Sequence, residues 1–128
     1  MKQSRILVAD DDPIVIRFLS AILRDEGYDV ITATDGEKAL QVIQKAQPDL
    51  VILDLVMPFR DGFEICHQIK ASPQTSNAAV IVLSMKEKEQ DVVRAFAVGA
   101  DDYVRKPFNA LELVARVRKL LSKDRVQA

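Results

Sequence analysis

The sequence predicts a single α/β domain in which helices cover both faces of a five-stranded parallel sheet, a doubly wound arrangement. The first observation is a set of short, uncharged apolar runs at residues 6–9, 50–53 and 79–83, which are typical of strands buried on both faces. The second is that each run precedes a segment with apolar residues at helical spacing, as parallel strand pairs require. The third is the length, since 128 residues suit one ordinary domain.

The first two strand–helix units are at the N-terminus. A strand at residues 6–9 precedes a helix that ends at Gly27, a residue suited to a left-handed C-terminal cap. The predicted apolar face of this helix consists of Ile14, Phe18, Leu19, Ile22 and Leu23. A second strand at residues 29–33 precedes a helix whose N-cap is Asp35 and whose apolar positions are Ala39, Leu40 and Ile43.

The third and fourth units have the same pattern. The strand at 50–53 precedes a helix with a capping box at Asp61 and Glu64, and this helix is expected to bury Phe63, Cys66 and Ile69. The polar loop 72–77 separates it from a strand at 79–84. The next helix has apolar positions at Val92, Val93 and Phe96 and ends at Gly99.

The fifth unit completes the sheet. Residues 102–105 are expected to form a short edge strand, and Asn109 with Glu112 is expected to form a capping box ahead of Leu113, Val114, Val117, Leu120 and Leu121. Five such units favour the flavodoxin-like strand order 2-1-3-4-5, in which strands 1 and 3 are neighbours at the point where ligands bind. We expect the folded domain to span residues 1–122, with 123–128 as a polar C-terminal tail or the start of a linker.

Charge and composition argue against several classes of partner. Lys and Arg number 18 against 19 Asp and Glu, so no overall field attracts nucleic acid or an anionic membrane. The N-terminal residues lack the apolar core of a signal peptide, and no apolar stretch approaches the roughly 20 residues that span a bilayer. The only cysteine, Cys66, excludes an internal disulfide and a multi-cysteine metal site. We expect a cytoplasmic protein with no direct contact to nucleic acid or membrane.

Carboxylates follow the two strands that are expected to be neighbours. Asp54 comes directly after the run 50–53, and Asp10 and Asp11 come directly after the run 6–9. Carboxylates about 5 Å apart repel by about 3 kcal/mol at an effective dielectric near 20, so this cluster needs a cation or raised pKa values. Oxygen ligands of this density suit Mg²⁺. We expect Asp11 and Asp54 to be direct ligands, Asp10 to act through a metal-bound water, and the Val56 backbone carbonyl to be a further ligand.

A metal alone does not require the two polar residues that end strands 4 and 5. Ser84 and Lys106 fall at the same edge of the predicted sheet as Asp54. A hydroxyl, an ammonium and Mg²⁺ are the groups that in-line phosphoryl transfer uses, with Asp54 as the nucleophile. Pro107 follows Lys106, and a cis bond before proline, which costs only about 0.5–1 kcal/mol, would help to direct the lysine inward.

These residues resemble the receiver domain of two-component response regulators over essentially the whole chain. The similarity rests on Asp10-Asp11, on Ser84, on residues 54–62 (DLVMPFRDG) and on residues 99–108 (GADDYVRKPF). The resemblance implies that a histidine kinase or phosphotransfer protein phosphorylates Asp54 and that Ser84 then moves towards the new charge. Asp54 would be slowly dephosphorylated without turnover of any separate substrate, so the domain would not be an enzyme.

The resemblance also implies how the signal is transmitted. Tyr103 would change its side-chain position, and the face built from helix 4, strand 5 and helix 5 would change its affinity for an output domain, an effector protein or a second copy of the chain. A packing role is the alternative for Tyr103. Arg116, Arg118 and Lys119 are expected to form a solvated face of helix 5, with pairing across a dimer as the alternative.

Three residues near Asp54 depart from the usual receiver pattern. Met85 stands where most receivers have a small residue, which predicts hindered access of small phosphodonors. Val56 replaces a polar residue that can orient an attacking water in some relatives, and Lys86 occupies the other flanking position. We therefore predict a long-lived aspartyl phosphate.

The sequence contains features that argue against other functions of this fold. A Mg²⁺-dependent phosphatase would use an Asp-x-Asp nucleophile after strand 1, but Pro13-Ile14 does not resemble that family's continuation. A flavin carrier would need glycines and hydroxyls in this acidic loop, and a structural module would not need the whole pocket. Asp12, which precedes Pro13, is expected to be a helix N-cap. His67 and Cys66 are assigned no chemistry.

Overall fold

The computed structural model describes residues 3–86 and 88–127, with side chains described as far as Ser122. Five strands alternate with five helices along this part of the chain. The strands are β1 Arg5–Ala9, β2 Asp29–Ala33, β3 Leu50–Leu53, β4 Ala79–Ser84 and β5 Asp102–Arg105. The helices are α1 Pro13–Asp25, α2 Gly36–Ala46, α3 Gly62–Ala71, α4 Glu89–Ala97 and α5 Ala110–Gln127. The five predicted units are confirmed.

All strands are parallel, in the order β2-β1-β3-β4-β5. The predicted doubly wound topology is therefore confirmed, and β5 lies at an edge. Because Ala9 pairs with Leu53 in the β1–β3 register, the residues that follow these two strands leave the sheet side by side. Leu53 in turn pairs with Val82 of β4, which places the end of β4 next to the end of β3.

Two apolar layers cover the faces of the sheet. One contains α2 and α3 with the inward side chains of β3 and β4, such as Val51 and Val82. The other contains α1 and α5 with the opposite side chains, such as Ile52 and Leu83. Each of the twelve or so largest buried side chains contributes about 1.5–3 kcal/mol from burial, so the ends of the strands are held on a rigid scaffold.

The predicted helix ends are confirmed in part. Asp12 and Asp35 are the N-caps of α1 and α2, accepting hydrogen bonds from Ile14 N and Lys38 N, respectively. Gly27 has the predicted positive φ after α1, and Gly99, where the fourth helix was predicted to end, also has positive φ after α4. The reciprocal half of the capping box before α3 is wrong: Asp61 accepts from Phe63 N, but the Glu64 carboxylate instead accepts from Arg60 and Gln68. At α5, Asn109 accepts from Glu112 N, whereas the Glu112 side chain bonds to Arg116.

Several apolar residues predicted to be buried lie at the surface. On α1, Leu19 and Leu23 are buried, but Ile14 is 75% exposed and Phe18 is 51% exposed, with its ring 5.9 Å from that of Phe108. On α4, Val93 and Phe96 are exposed. None of the helices in the described part of the chain combines the length and apolar composition of a bilayer-crossing helix.

The C-terminal boundary stays a prediction. The backbone of α5 continues to Gln127, but the side chains of the predicted tail, residues 123–128, lie outside the described residues. The Lys106–Pro107 bond adopts the cis form that the proline allows.

Candidate functional site

Three aspartates meet at the carboxyl edge of the sheet. Parallel pairing continues one residue beyond β1 and β3, because Asp54 N donates to Ala9 O at 2.9 Å and Asp10 N donates to Ala33 O at 3.1 Å. Carboxylate oxygens of Asp10, Asp11 and Asp54 consequently lie within 4.8 Å of one another. Asp10 and Asp54 are buried, whereas Asp11 is open to solvent. The arrangement is thus a buried acidic pair with one accessible carboxylate at its mouth.

Lys106 is the counter-ion of the buried pair. Its backbone N donates to Ser84 O at 2.9 Å, which continues the β4–β5 pairing and positions the side chain over the pocket. The Lys106 Nζ atom lies 2.8 Å from Asp10 Oδ2 and 3.3 Å from Asp54 Oδ2. The lysine side chain is only 15% exposed, so these contacts are shielded from solvent. One ammonium therefore holds two carboxylates together.

The ionisation of the pocket follows from its burial. Burial raises the pKa of Asp54, and the neighbouring Asp10 carboxylate raises it further, while the Val56 N–H and Lys106 oppose the rise. Burial alone would lower the pKa of Lys106, but the Asp10 and Asp54 carboxylates outweigh burial and raise it. The lysine is therefore fixed as a cation, and the pocket holds an excess of negative charge that favours a further cation.

The donor set fits Mg²⁺. Asp10 Oδ1 accepts a hydrogen bond from Asp12 N at 2.9 Å, which fixes that carboxylate, while Asp10 Oδ2 is buried without a directed hydrogen bond among the described residues. The 2.8 Å approach of Lys106 to this oxygen is thus an ion pair of poor angular geometry. An underused buried oxygen beside two further carboxylates is a suitable environment for a hard divalent cation. The Val56 carbonyl as a fourth ligand remains a prediction.

A second group of contacts joins the ends of β4 and β5. Ser84 Oγ accepts a hydrogen bond from Lys86 N at 3.1 Å, and Tyr103 Oη donates to Lys86 O at 2.8 Å. Ser84 and Tyr103, the two residues predicted to act as the switch, therefore hold the main-chain N–H and C=O of Lys86, respectively. Sequence reasoning missed this role of Lys86, because a backbone N–H or C=O has no residue-specific signal. Tyr103 is half-buried, and burial raises the pKa of its hydroxyl.

The flanking residues lie where the sequence placed them. Val56 and Met85 are 60% and 75% exposed at the rim, so hindered access of phosphodonors stays a prediction. Val56 N donates to Asp54 Oδ1 at 3.1 Å and so fixes that carboxylate. His67 is exposed, while Cys66 is buried and its thiol pKa is raised to about 11, mainly by burial. A thiol with that pKa is protonated at neutral pH.

The predicted solvated face of α5 is confirmed in part. Arg116 binds Asp102 at 2.8 Å and Glu112 at 2.8 Å, and Arg118 binds Glu26 at 2.5 Å. Arg118, whose side chain is 62% exposed, and Lys119, which is also exposed, keep the predicted role of solvated charges, whereas Arg116 is half-buried. The two arginines connect α5 to its own chain because acidic partners lie within reach on β5 and after α1.

The chain matches one protein family along most of its length. Residues 6–118 match the response regulator receiver domain. The DNA-binding response regulator MtrA of Mycolicibacterium smegmatis is 43% identical over 122 residues, covering 95% of this chain and 52% of that protein. The dual master transcriptional regulator RpaA of Synechocystis is 42% identical over 123 residues, covering 95% of this chain and 51% of that protein. The chain thus spans about half the length of these curated relatives.

Solved structures share the fold closely. A response regulator from Chloroflexus aurantiacus has a TM-score of 0.89 and 37% identity, covering 94% of this chain and 99% of that one. The BeF3-activated receiver domain of DrrB has a TM-score of 0.87 and 35% identity, covering 94% and 99%. A CheY-like receiver from Methanospirillum hungatei has a TM-score of 0.93 at 24% identity over 99% of this chain and 100% of that one, which supports the fold alone.

Proposed function

The chain belongs to the family of response regulator receiver domains in two-component signalling, and we propose that Asp54 is its phosphoacceptor. The observation that carries the proposal is the Lys106 ammonium between two buried carboxylates, of which Asp54 directly follows the central strand β3. A nucleophilic carboxylate beside a fixed cation is suited to receive a phosphoryl group whose negative charge grows during transfer.

The proposed transfer starts from a phosphohistidine of a kinase or phosphotransfer protein. An Asp54 carboxylate oxygen forms a bond to phosphorus, the phosphorus–nitrogen bond breaks, and the imidazole nitrogen leaves with the electron pair. The Val56 N–H holds one Asp54 oxygen at 3.1 Å and so limits rotation of the carboxylate. Asp10, Asp11 and Asp54 would hold Mg²⁺, which supplies charge neutralisation for the phosphoryl oxygens.

Lys106 and Ser84 have separate roles in this proposal. Lys106 pairs with the acidic cluster before transfer and with a phosphoryl oxygen afterwards. Ser84 Oγ is engaged by Lys86 N at 3.1 Å, and rotation of the hydroxyl towards a phosphoryl oxygen would release that N–H. Release of Lys86 loosens the carbonyl that Tyr103 holds at 2.8 Å, which couples the pocket to the edge of the sheet. The change is a shift between two populations.

Exposed apolar side chains on the helices supply candidate contact surfaces for partner proteins. Exposed apolar side chains at the start of α1 and α5, such as Ile14 and Leu111, follow the segments that carry Asp11 and Lys106 and are proposed to receive the phosphodonor. Val93 and Phe96 of α4 are proposed to serve the output face with β5 and α5, for an output domain, an effector or a homodimer. The relatives named as DNA-binding regulators are about twice as long as this chain, so DNA contact is assigned to an output segment.

The proposed setting is the cytoplasm, where a free thiol such as Cys66 stays reduced. Within it, the domain would turn over no separate substrate: the phosphoryl group is received at Asp54 and later lost to water. This distinguishes the proposal from a phosphatase that uses Asp10 as its nucleophile.

Prolonged incubation with a large excess of a radiolabelled small phosphodonor and Mg²⁺ tests the proposal, because hindered access would slow the labelling without preventing it. We expect a hydroxylamine-sensitive label that Asp54→Asn abolishes and that Asp25→Asn, at the exposed end of α1, leaves intact. Rapid donor turnover that Asp10→Asn abolishes and Asp54→Asn does not would contradict it. Light scattering with and without beryllofluoride tests the homodimer, and an unchanged monomer mass in both states would exclude it.

A further inference from the structure

A groove of about 510 Å³ lies beside the acidic pocket, between the loop 55–61 and the start of α4. The buried side chains of Leu55, Met57 and Phe63 form its apolar floor. Phe59 also lines the groove, as do Asp61 and two basic residues, Lys86 and Arg94, which we call its cationic wall. An apolar floor beside an exposed aromatic ring and cationic side chains has the composition of a protein-binding groove.

Phe59 is held in this position against its backbone preference. Its φ is 75°, in the left-handed region that is unfavourable for a bulky residue, and its side chain is 81% exposed. The loop enforces the conformation, because Val56 bridges Asp61 in antiparallel fashion and Gly62 N donates to Leu55 O at 3.1 Å. A Cβ atom on Gly62 would lie 2.5 Å from the Leu55 Cα, so the two ends of the loop must stay close. Strain that presents an exposed aromatic ring to solvent is typical of a contact site.

The cationic wall is incompletely neutralised. The Lys86 ammonium makes no ion pair with any residue that the structure describes. The closest carboxylate to Arg94 is that of Asp61 at 3.8 Å, and the Arg94 guanidinium lies 4.1 Å above the Phe63 ring. Arg60, in contrast, is already paired with Glu37 and Glu64 at 2.9 and 3.0 Å. Two cations without a close carboxylate partner among the described residues therefore line the groove together with Phe59.

We propose that this groove is a docking site for a partner-protein segment that carries acidic side chains beside one apolar side chain. The apolar group fits the floor against Phe59, and the acidic groups pair with Lys86 and Arg94. The affinity of the groove also depends on the state of the switch, because the main chain of Lys86 is held by Ser84 and Tyr103. That dependence on phosphorylation rests on the proposed function of Asp54, whereas the docking itself does not.

Fluorescence anisotropy with a labelled peptide tests the docking. The probe is a heptapeptide with phenylalanine at its centre and three acidic residues on each side, and the control peptide has lysine in place of every acid. We expect saturable binding of the acidic probe alone, about tenfold weaker in Lys86→Gln or Arg94→Gln and unchanged in Lys45→Gln on α2. The Phe59→Gly variant is expected not to bind the probe and to have a higher melting temperature than the parent. The Phe59→Tyr variant is expected to have the affinity and the melting temperature of the parent. Beryllofluoride with Mg²⁺ is expected to change the affinity at least threefold.

The outcomes separate this site from the phosphoacceptor. Equal binding by Phe59→Gly or by the lysine peptide would overturn the docking site even in a chain whose Asp54 is labelled. A peptide that binds as expected to a chain without labelling at Asp54 would support the groove and reject the proposed function. A doubled mass without peptide, abolished by Phe59→Gly, would assign the groove to a second copy and overturn the proposal of a different partner. Unchanged affinity with beryllofluoride would overturn the coupling.

Discussion

Replacement of Lys106 by methionine tests the electrostatics of the pocket directly. At an effective dielectric near 20, contacts of 2.8 and 3.3 Å to Asp10 and Asp54 correspond to gross attractions of about 6 and 5 kcal/mol. The two carboxylates, with oxygens within 4.8 Å, repel by at least about 3 kcal/mol once the ammonium is gone. Methionine keeps most of the packing of the aliphatic stem.

The net effect is smaller than the gross attraction. Removing the lysine also removes the cost of its own desolvation, and Asp54 relieves the repulsion in part by taking up a proton. We expect Lys106→Met to lower the free energy of unfolding by about 3 kcal/mol in EDTA, the low end for breaking a buried pair. The same loss corresponds to a melting temperature about 10 °C lower.

Urea unfolding followed by circular dichroism measures this change. Mg²⁺ is expected to restore part of the lost stability, because it binds the folded state and neutralises the same carboxylates. A second substitution, Asp54→Asn, is expected to restore more than half of the loss in EDTA by ending the repulsion. The control is Lys45→Met at the exposed end of α2, for which we expect less than about 0.5 kcal/mol. A Lys106→Met variant as stable as that control would refute the reasoning.

Three further predictions concern single residues. The pKa of Asp54 is raised above 3.8 in the folded state, so the stabilising contribution of Asp54 is complete below pH 3.8 and is lost as pH rises through the folded pKa. In EDTA, Asp54→Asn should therefore make the loss of stability with rising pH less steep. An Asp54→Asn variant whose urea midpoints depend on pH as those of the parent do would contradict this prediction. Val56→Asn should release phosphate faster than the parent at matched Mg²⁺, because an amide can orient the attacking water; equal rates of label loss would reject a role for Val56 in the phosphoryl lifetime. The Ser20 Oγ atom is buried without a hydrogen-bond partner among the described residues, so Ser20→Ala should be neutral or stabilising by up to about 1 kcal/mol; a loss above about 1 kcal/mol in thermal unfolding would indicate a bound water at that hydroxyl.

The success of the strand predictions has a simple physical origin. A strand buried on both faces must be apolar at every position, so the runs at β3 and β4 were visible without knowledge of their neighbours. The apolar arc of α1 is wider than the strip that the sheet and α5 cover, and periodicity cannot tell which side chains at its margin stay in solvent. This is why Leu19 was placed correctly and Ile14 was not. The paired state of Arg116 was missed for a related reason, since its partner Asp102 lies on another element.

The positions of the candidate site residues followed from topology because carboxyl ends of parallel strands converge. Hydrogen bonds made by main-chain groups cannot be predicted from residue type, and the contacts of Lys86 with Ser84 and Tyr103 are of this kind. The Lys86 N–H and C=O are hydrogen-bonded to the side chains of Ser84 and Tyr103, while the Lys86 side chain lines the groove that Phe59 also lines. A side-chain substitution at this position therefore leaves the proposed switch contacts in place and removes only the charge. It follows that Lys86→Gln should separate the two functions, since phosphorylation of Asp54 would persist while docking of an acidic segment weakens; joint loss of both would mean that the ammonium itself acts in the pocket.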